Sequence, residues 1–449
     1  MKPFFLSISV LLLSVSPALA GPDESTSSRN AIAVTPKLLD RLQAEAEGGN
    51  PALRAAEVRT EASNAAVSSV RTWDDPTASF GISEPSSRGF QSSEEGNLIY
   101  GIDQKLPLYG RPDLMRKVAE AQAAGVKYSA DLQTQQMRRD IDVGLSRLAL
   151  ADREAEIAEE DLSWLDATLD AVDHRYRVGQ ASQVDWLKVQ TARAMAVDTV
   201  KTKEQERSHG AFSLNRLLNR PLHEPWPVIE IRRLQPQVYY TERLVDAALE
   251  AEPELRVLHQ ESASAEAEAD LTRRQRLPDV SVGLQARQYS GDGGIREGTA
   301  VVSMSLPWLN KGKYDDDWRR DRLRKQASDL AATDHALSVR EQLHHHIVDL
   351  DAARRQAELY RDQLIPLTSQ TLASAQSSWE HNLGSFQDIL DAHRMLLGDK
   401  LVLAQALTDQ ATMLAELSLL TGSRDTQKLV ELAGTPPAEH DDLTLEDSK

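Results

Sequence analysis

Apolar residues recur at intervals of three and four along most of this chain. From Met137 the apolar or small positions are Ile141, Gly144, Leu148, Ala151, Ala155, Ala158, Leu162, Leu165, Leu169, Val172 and Tyr176. Steps of three and four make one continuous coiled-coil seam. The alanines and the glycine along it let a neighbouring helix come close. The pattern predicts a helix from Pro112 to Val178, about 67 residues and roughly 100 Å long at ~1.5 Å per residue. A second stretch, Lys313 to about His381, predicts a helix of similar length. Shorter helices are expected at about Pro36 to Thr72 and Glu242 to Arg276. No globular monomer needs helices as long as the first two.

Two regions abandon the helical rhythm for strict alternation. Val280, Val282, Leu284 and Ala286 alternate with Ser281, Gly283, Gln285 and Arg287. After a glycine-rich turn (Gly291 to Gly298), Ala300, Val302, Met304 and Leu306 alternate with Val301, Ser303 and Ser305. Earlier, Ala78, Phe80 and Ile82 alternate with Ser79, Gly81 and Ser83, and Leu98, Tyr100 and Ile102 follow. Period two around a turn predicts two β-hairpins. An isolated hairpin is barely stable in water. Strands apolar on one face and polar on the other match a membrane barrel, which must close so that no edge stays unpaired. Four strands cannot close one, so other chains must complete it, and three chains would supply twelve strands. The alternative is a soluble periplasmic coiled-coil scaffold carrying two surface hairpins.

The two hairpins belong to a larger duplication. "NPALRAAE" at Asn50 recurs as "EPELRVLH" at Glu252, and "KLPLYGR" at Lys105 as "SLPWLNK" at Ser305. Ser182 and Asp185 recur as Ser385 and Asp388. The order and spacing are shared, so residues 36–221 and 242–422 read as two repeats of one unit, joined by 222–241. Residues 21–35 and the acidic tail 423–449 read as flexible ends.

Both long helices are interrupted at the same point of the repeat. Gly179 permits φ above zero and a reversal of direction, and its counterpart Asn382 is the other residue that tolerates that conformation. Ser182 and Ser385 are N-cap candidates for the returning helices, with Asp185 and Asp388 three residues on, close to a capping box. Asp388 and Asp391 are spaced i, i+3 and share a face just inside the second turn.

Lys2, the apolar run Phe4 to Val15 and Ala18-Leu19-Ala20 form a secretory signal, 1–20. The chain has no cysteine, which excludes disulfides and thiolate chemistry, and no later apolar run is long enough for a helical membrane span. A formal net charge of −18 argues against nucleic acid as a partner. No catalytic constellation, cofactor motif or metal site is expected. His344, His345 and His346 point about 100° apart on a helix, and only His345 with Asp349 has one-turn spacing. Asp315, Asp316 and Asp317 belong near a helix start, where negative charge favours the dipole.

The signal, the duplication, the hairpins with long helices, and the turns "RYRVGQASQVDWL" and "LGSFQDILDAHR" resemble the TolC-like outer-membrane efflux proteins, from about Thr35 to Gly422. The resemblance implies a mainly α fold with a small β part. Long coiled-coil helical hairpins would form a periplasmic tunnel, and four strands per chain would complete a trimeric twelve-stranded barrel. It implies a homotrimer in the outer membrane of a Gram-negative bacterium, in contact with its lipid and extending into the periplasm. The partners implied are a periplasmic adaptor and an inner-membrane pump, expected to be of the resistance-nodulation-division type. Such a channel is a passive conduit, not an enzyme. The helical turns would be the entrance that receives the adaptor, through Val178, Gly179, Gln180, Ala181 and Ser182 and through Asn382, Leu383, Gly384 and Ser385. Asp388 and Asp391 match the D-x-x-D pair that forms an acidic ring at the entrance in the family. Asp185 and Lys188 occupy the equivalent places in the first repeat, so only the second turn supplies the ring. Gly384 stands where some members carry an arginine that holds the entrance shut, so that contact is not carried over. The acidic entrance inclines the reading towards metal cations, or small toxic compounds, as cargo.

Overall fold

The structure, a computed structural model, describes residues 31–83, 97–289, 293–381, 383–423 and 426–434. The signal, 1–20, lies outside the described residues. The first repeat runs β1 (Ile32–Ala33), α1 (Pro36–Gly49), α2 (Pro51–Ser69), β2 (Thr77–Ser83), β3 (Asn97–Lys105), α3 (Arg111–Arg177) and α4 (Gln183–Leu217). After β4 (Ile229–Glu230) the second runs α5 (Glu242–Ala251), α6 (Pro253–Arg274), β5 (Val280–Tyr289) and β6 (Ile295–Met304). It continues through α7 (Lys311–Leu359), α8 (Ile365–Glu380) and α9 (Phe386–Thr421) to α10 (Thr426–Ala433).

The long seam forms as its spacing predicts. Helix α3 has 67 residues and buries Ile141, Leu145, Leu148, Ala155, Ala158, Leu165 and Val172 along one side. Helix α4 returns along it. A Cβ on Gly144 would sit 2.6 Å from Leu214 Cδ2, so the missing side chain is what lets α4 pack this closely.

Two expectations are corrected by proline. The helix expected from Pro36 to Thr72 is broken into α1 and α2 at Asn50, and the one from Glu242 to Arg276 into α5 and α6 at Glu252. Each break residue precedes a proline, whose ring disfavours the α conformation before it, and both adopt ψ 122°. Asn50 and Glu252 then cap the new helices, accepting the Ala52 and Leu255 amides. The rod expected from Lys313 to about His381 contains a π-turn at Tyr360–Leu364. Pro366 follows it and has no N–H to give to the preceding turn, so the ladder widens there.

The hairpins do not stand apart. They merge into one antiparallel sheet of order β2-β3-β5-β6. Residues directly paired across such a sheet share a face. Phe80, Tyr100, Ala286 and Gly298 form one row, and Ala78, Ile102, Leu284 and Ala300 the next. This face is apolar and uncovered: Phe80, Ile82, Leu284 and Val302 are 79%, 69%, 62% and 71% exposed. The opposite face carries Ser79, Gln285 and Thr299 in one row and Asp103 in the next. There Arg287 and Glu297 form a 3.1 Å ion pair. β2 and β6 are the two edges, so closure needs further chains.

Apolar cores bind the helices at three levels. One joins α1, α3 and α4 around Leu42, Leu145, Leu148 and Leu214. A second joins α5, α7, α9 and α10 around Leu244, Leu343, Leu417 and Leu429. The third lies behind the hairpin tips. The ends are less free than their composition suggests. Ile32 and Ala33, within the segment expected to be flexible, pair in parallel with Ile229 and Glu230 of the connector. In the expected tail, α10 buries Leu429.

Candidate functional site at the tips of the helical hairpins

The first tip reverses as the sequence predicts. Gly179 has φ +75°. The Gln180 amide reaches back to the Arg175 carbonyl at 2.8 Å and the Gly179 amide to the Tyr176 carbonyl at 3.0 Å, which satisfies the last carbonyls of α3. Ser182, extended at φ −82° and ψ 154°, then starts α4 with a complete capping box. Its hydroxyl accepts the Asp185 amide at 3.1 Å.

The second tip uses the same cap. Ser385 Oγ accepts the Asp388 amide at 3.2 Å, and an Asp388 carboxylate oxygen accepts the Ser385 amide at 3.0 Å. The Leu383 and Gly384 amides both donate to the Ser378 carbonyl. Asn382 lies outside the described residues, so the left-handed turn expected there is not described.

The predicted tip residues divide by exposure. Leu383 is 85% exposed and Val178 56%, and Gly179, Gln180, Ser182 and Ser385 are also open to solvent. Gly384 is half-buried, close to Ser378. Ala181 turns inward and packs on the tip core of Leu165, Val172, Val189, Phe386, Ile389 and Leu390, so it is not part of the open surface. Val184, at 59%, and Leu187, at 47%, extend that surface and were not read from the sequence, because an exposed apolar residue in a first helical turn carries no pattern of its own.

The two tips are tied together. The Lys188 ammonium donates to Gln387 Oε1 at 2.8 Å. The Arg175 guanidinium lies 4.0 Å from the Trp379 ring centroid, a cation–π contact between α3 and α8. Trp379 in turn meets Phe386 at 5.5 Å. The Lys188–Gln387 and Arg175–Trp379 pairs have no sequence signal, because each joins residues about two hundred positions apart.

Asp388 and Asp391 are both exposed on α9. Asp388 is engaged in the cap. Asp391 accepts from Gln387 Nε2 at 2.8 Å and lies 3.7 Å from the Arg394 guanidinium, a cation that the D-x-x-D spacing does not reveal.

Elsewhere the structure bears on the histidines. His344 meets the Tyr240 ring edge-on, and His345 lies 3.4 Å from Asp349. Burial pushes the His346 imidazole below its usual range, towards the neutral form. The three rings share no centre. Glu252, Glu254 and His335 do bring three ligating atoms within 4.8 Å of one another. Glu252 there is the cap of α6, and the pattern does not recur at its repeat equivalent, Asn50. Among the described residues no helix is long and apolar enough to cross a membrane.

The sequence profile of the family described as "Outer membrane efflux protein" matches residues 42–220 and 244–423. No curated protein sequence matches the chain. Solved structures share its fold. The outer membrane protein VceC of Vibrio cholerae is 16% identical, with a TM-score of 0.72 over 86% of this chain and 96% of its own. The CmeC outer membrane channel of Campylobacter jejuni is 14% identical, with a TM-score of 0.74 over 95% of this chain and 98% of its own. The open-state MtrE channel of Neisseria gonorrhoeae is 17% identical, with a TM-score of 0.70 over 86% and 88%. Both repeats are matched and the uncovered apolar sheet suits a bilayer, so this chain belongs to the outer membrane efflux protein family, passive channels of the Gram-negative outer membrane and not enzymes.

Proposed function

We propose that three copies of this chain form one conduit through the outer membrane, with a twelve-stranded barrel in the lipid and the helical hairpins as a periplasmic tunnel. Channels of the family act as trimers with periplasmic adaptors and inner-membrane pumps. The observation that carries the reading for this chain is the sheet. Its apolar face is uncovered on every strand, and both edge strands are open. An edge left unpaired in a bilayer would cost several kcal/mol per backbone group, so β6 of one copy pairs with β2 of the next.

The tips then receive the adaptor through Val178, Gly179, Gln180 and Ser182 on one hairpin and Asn382, Leu383, Gly384 and Ser385 on the other. The pump behind that adaptor is of the resistance-nodulation-division type. Asp388 and Asp391, repeated three times around the axis, make the entrance acidic, which favours cationic cargo: metal ions or small toxic cations.

Membrane fractionation and native mass measurement in detergent test the architecture. The wild-type chain should be recovered in the outer membrane as a trimer. Leu284→Arg, which sets a charge on the apolar face, should cost about 2–4 kcal/mol near the bilayer midplane and abolish insertion. Gln285→Arg, on the opposite face, should insert normally. Recovery as a stable folded monomer, or equal insertion of both variants, would overturn the proposal.

A further inference from the structure

Three side chains of metal-binding type converge where α5 meets α6. Glu252, Glu254 and His335 each bring one ligating atom within 4.8 Å of the other two, and no other such group occurs among the described residues. Glu252 is the break residue before Pro253, and Glu254 stands in the first turn of α6. His335 comes across from α7, one turn before Val339, which belongs to the second apolar core and fixes the helix there. His335 Nε2 lies 3.2 Å from Glu252 Oε2. Two ligands of a tetrahedral zinc ion, each at ~2.0–2.1 Å, stand roughly 3.3 Å apart. Glu254 is exposed, so its carboxylate can close the remaining distance by changing rotamer.

Capping explains only part of this group. The Glu252 side chain is 6% exposed and accepts the Leu255 amide, and among the described residues His335 is the one basic side chain at ion-pair distance from it. Burying a carboxylate is costly unless a cation meets it. The cap itself needs no charge. Asn50 does the same work in the first repeat, accepting the Ala52 amide and donating to the Leu217 carbonyl. By the repeat, Glu254 corresponds to Ala52 and His335 to Gln135. The two turns are built alike, yet only the second gathers two carboxylates and an imidazole at one point.

We propose that Glu252, Glu254 and His335 bind a divalent transition-metal ion of the zinc type, which pins the break between α5 and α6 to α7. Both contacts of Glu252 use Oε2, so Oε1 can ligate without undoing the cap. The positive end of the α6 dipole favours both carboxylates in the ionised form, the form that ligates. Two carboxylates with an imidazole suit zinc and its neighbours in the first transition row, whereas calcium and magnesium call for oxygen alone. Three protein ligands leave a fourth position for water. An ion held by the folded chain and not by the unfolded one stabilises the fold. The site lies within a single chain, so it does not depend on the trimeric reading, and it is separate from Asp388 and Asp391 at the tips. Glu252 and His335 are 83 positions apart, which hides the group from any sequence motif.

The probe is the zinc ion alone, added to the full-length chain purified in detergent without a histidine tag and stripped with chelator. Competition with a fluorescent zinc indicator should show one tight site per chain, and zinc should raise the thermal midpoint by several degrees. Excess magnesium or calcium should not compete for the site. Three variants take the residue that the first repeat carries at the same place: Glu252→Asn, Glu254→Ala and His335→Gln. Each should lose the tight site and the rise in midpoint, while circular dichroism without zinc should match wild type. His345→Gln, in the exposed histidine run, should keep both. If wild type binds no zinc, or the triple variant binds it equally well, the group is a cap and an ion pair only and the proposal is overturned. Loss of the site in His345→Gln with retention in His335→Gln would overturn it as well.

Discussion

His393 Nε2 on α9 lies 2.8 Å from a carboxylate oxygen of Asp161 on α3. The imidazole is buried and stacks on Trp164 of the same helix at 3.6 Å between centroids, nearly parallel at 12°. One side chain of the second hairpin is therefore clamped by two side chains of the first, a few turns behind the tips. Any widening of the entrance that slides α9 along α3 must break this clamp.

His393→Phe keeps an aromatic ring for Trp164 but removes the hydrogen bond, worth about 1–3 kcal/mol where its partner carries charge. Held-open time in single-channel recordings should rise severalfold while trimer yield is unchanged. Asp161→Asn, which can still accept a hydrogen bond, should act in the same direction but more weakly. Wild-type gating in His393→Phe would show that the clamp serves folding only.

That clamp was not legible in the sequence, whereas much around it was. The seam from Ile141 to Tyr176, the alternation around Leu284 and both Ser/Asp caps are local patterns, and local patterns fix periodicity, faces and helix ends. The pairing of His393 with Asp161 spans 232 positions and depends on how two hairpins lie side by side. The joining of β3 to β5 into one sheet is invisible for the same reason. Asn50-Pro51 and Glu252-Pro253 are a different case. The proline rule was available there, but apolar periodicity runs through both breaks and hides them. Ala181 looked like surface because it neighbours Gly179, and only the tip core shows that its methyl turns inward.

Glu45 on α1 and Arg220 after α4 form a bidentate pair at 2.5 and 2.7 Å. The Arg220 hydrogen bond, ahead of the opposing effect of burial, holds the Glu45 carboxyl below its usual range. Its folded pKa is below its unfolded value of about 4.3, so the stabilisation is present above that value and is lost as pH falls through the folded pKa. Both groups are partly exposed, so the contribution is small, about 1 kcal/mol. Thermal melts followed by circular dichroism should show Glu45→Gln less stable than wild type at pH 7, with the gap closing as pH drops below 4. A gap that persists at pH 3 would assign the effect to packing.

Gly179 holds φ +75° with nothing within 4 Å of where a Cβ would point, so space is not the constraint there. The backbone is. A side chain in the left-handed region costs about 1–2 kcal/mol, and more for a β-branched residue. Gly179→Asn should therefore be nearly silent and Gly179→Val should disturb the turn. Export through the assembled pump should fall in Gly179→Val while trimer and barrel persist. Unchanged export would show that this turn does not dock the adaptor.

Asp388 and Asp391 should control which ions pass the entrance. In the proposed trimer, six carboxylates around one axis would repel one another, and low-dielectric walls would focus their potential into the opening, as acidic rings do in cation channels. Asp388→Asn with Asp391→Asn should weaken cation selectivity and relieve block by divalent cations added from the periplasmic side. Asn at 388 can still accept the Ser385 amide and keep the cap, so a change in conductance would not reflect an unwound helix. Arg394 supplies the control of opposite sign. It sits 3.7 Å from Asp391 and offsets part of the acidic charge, so Arg394→Gln should deepen cation selectivity and strengthen divalent block. Planar-bilayer recordings with asymmetric salt measure both. If the aspartate variant and the arginine variant leave reversal potential and block where they were, the D-x-x-D pair lies off the constriction and Asp388 is a helix cap alone.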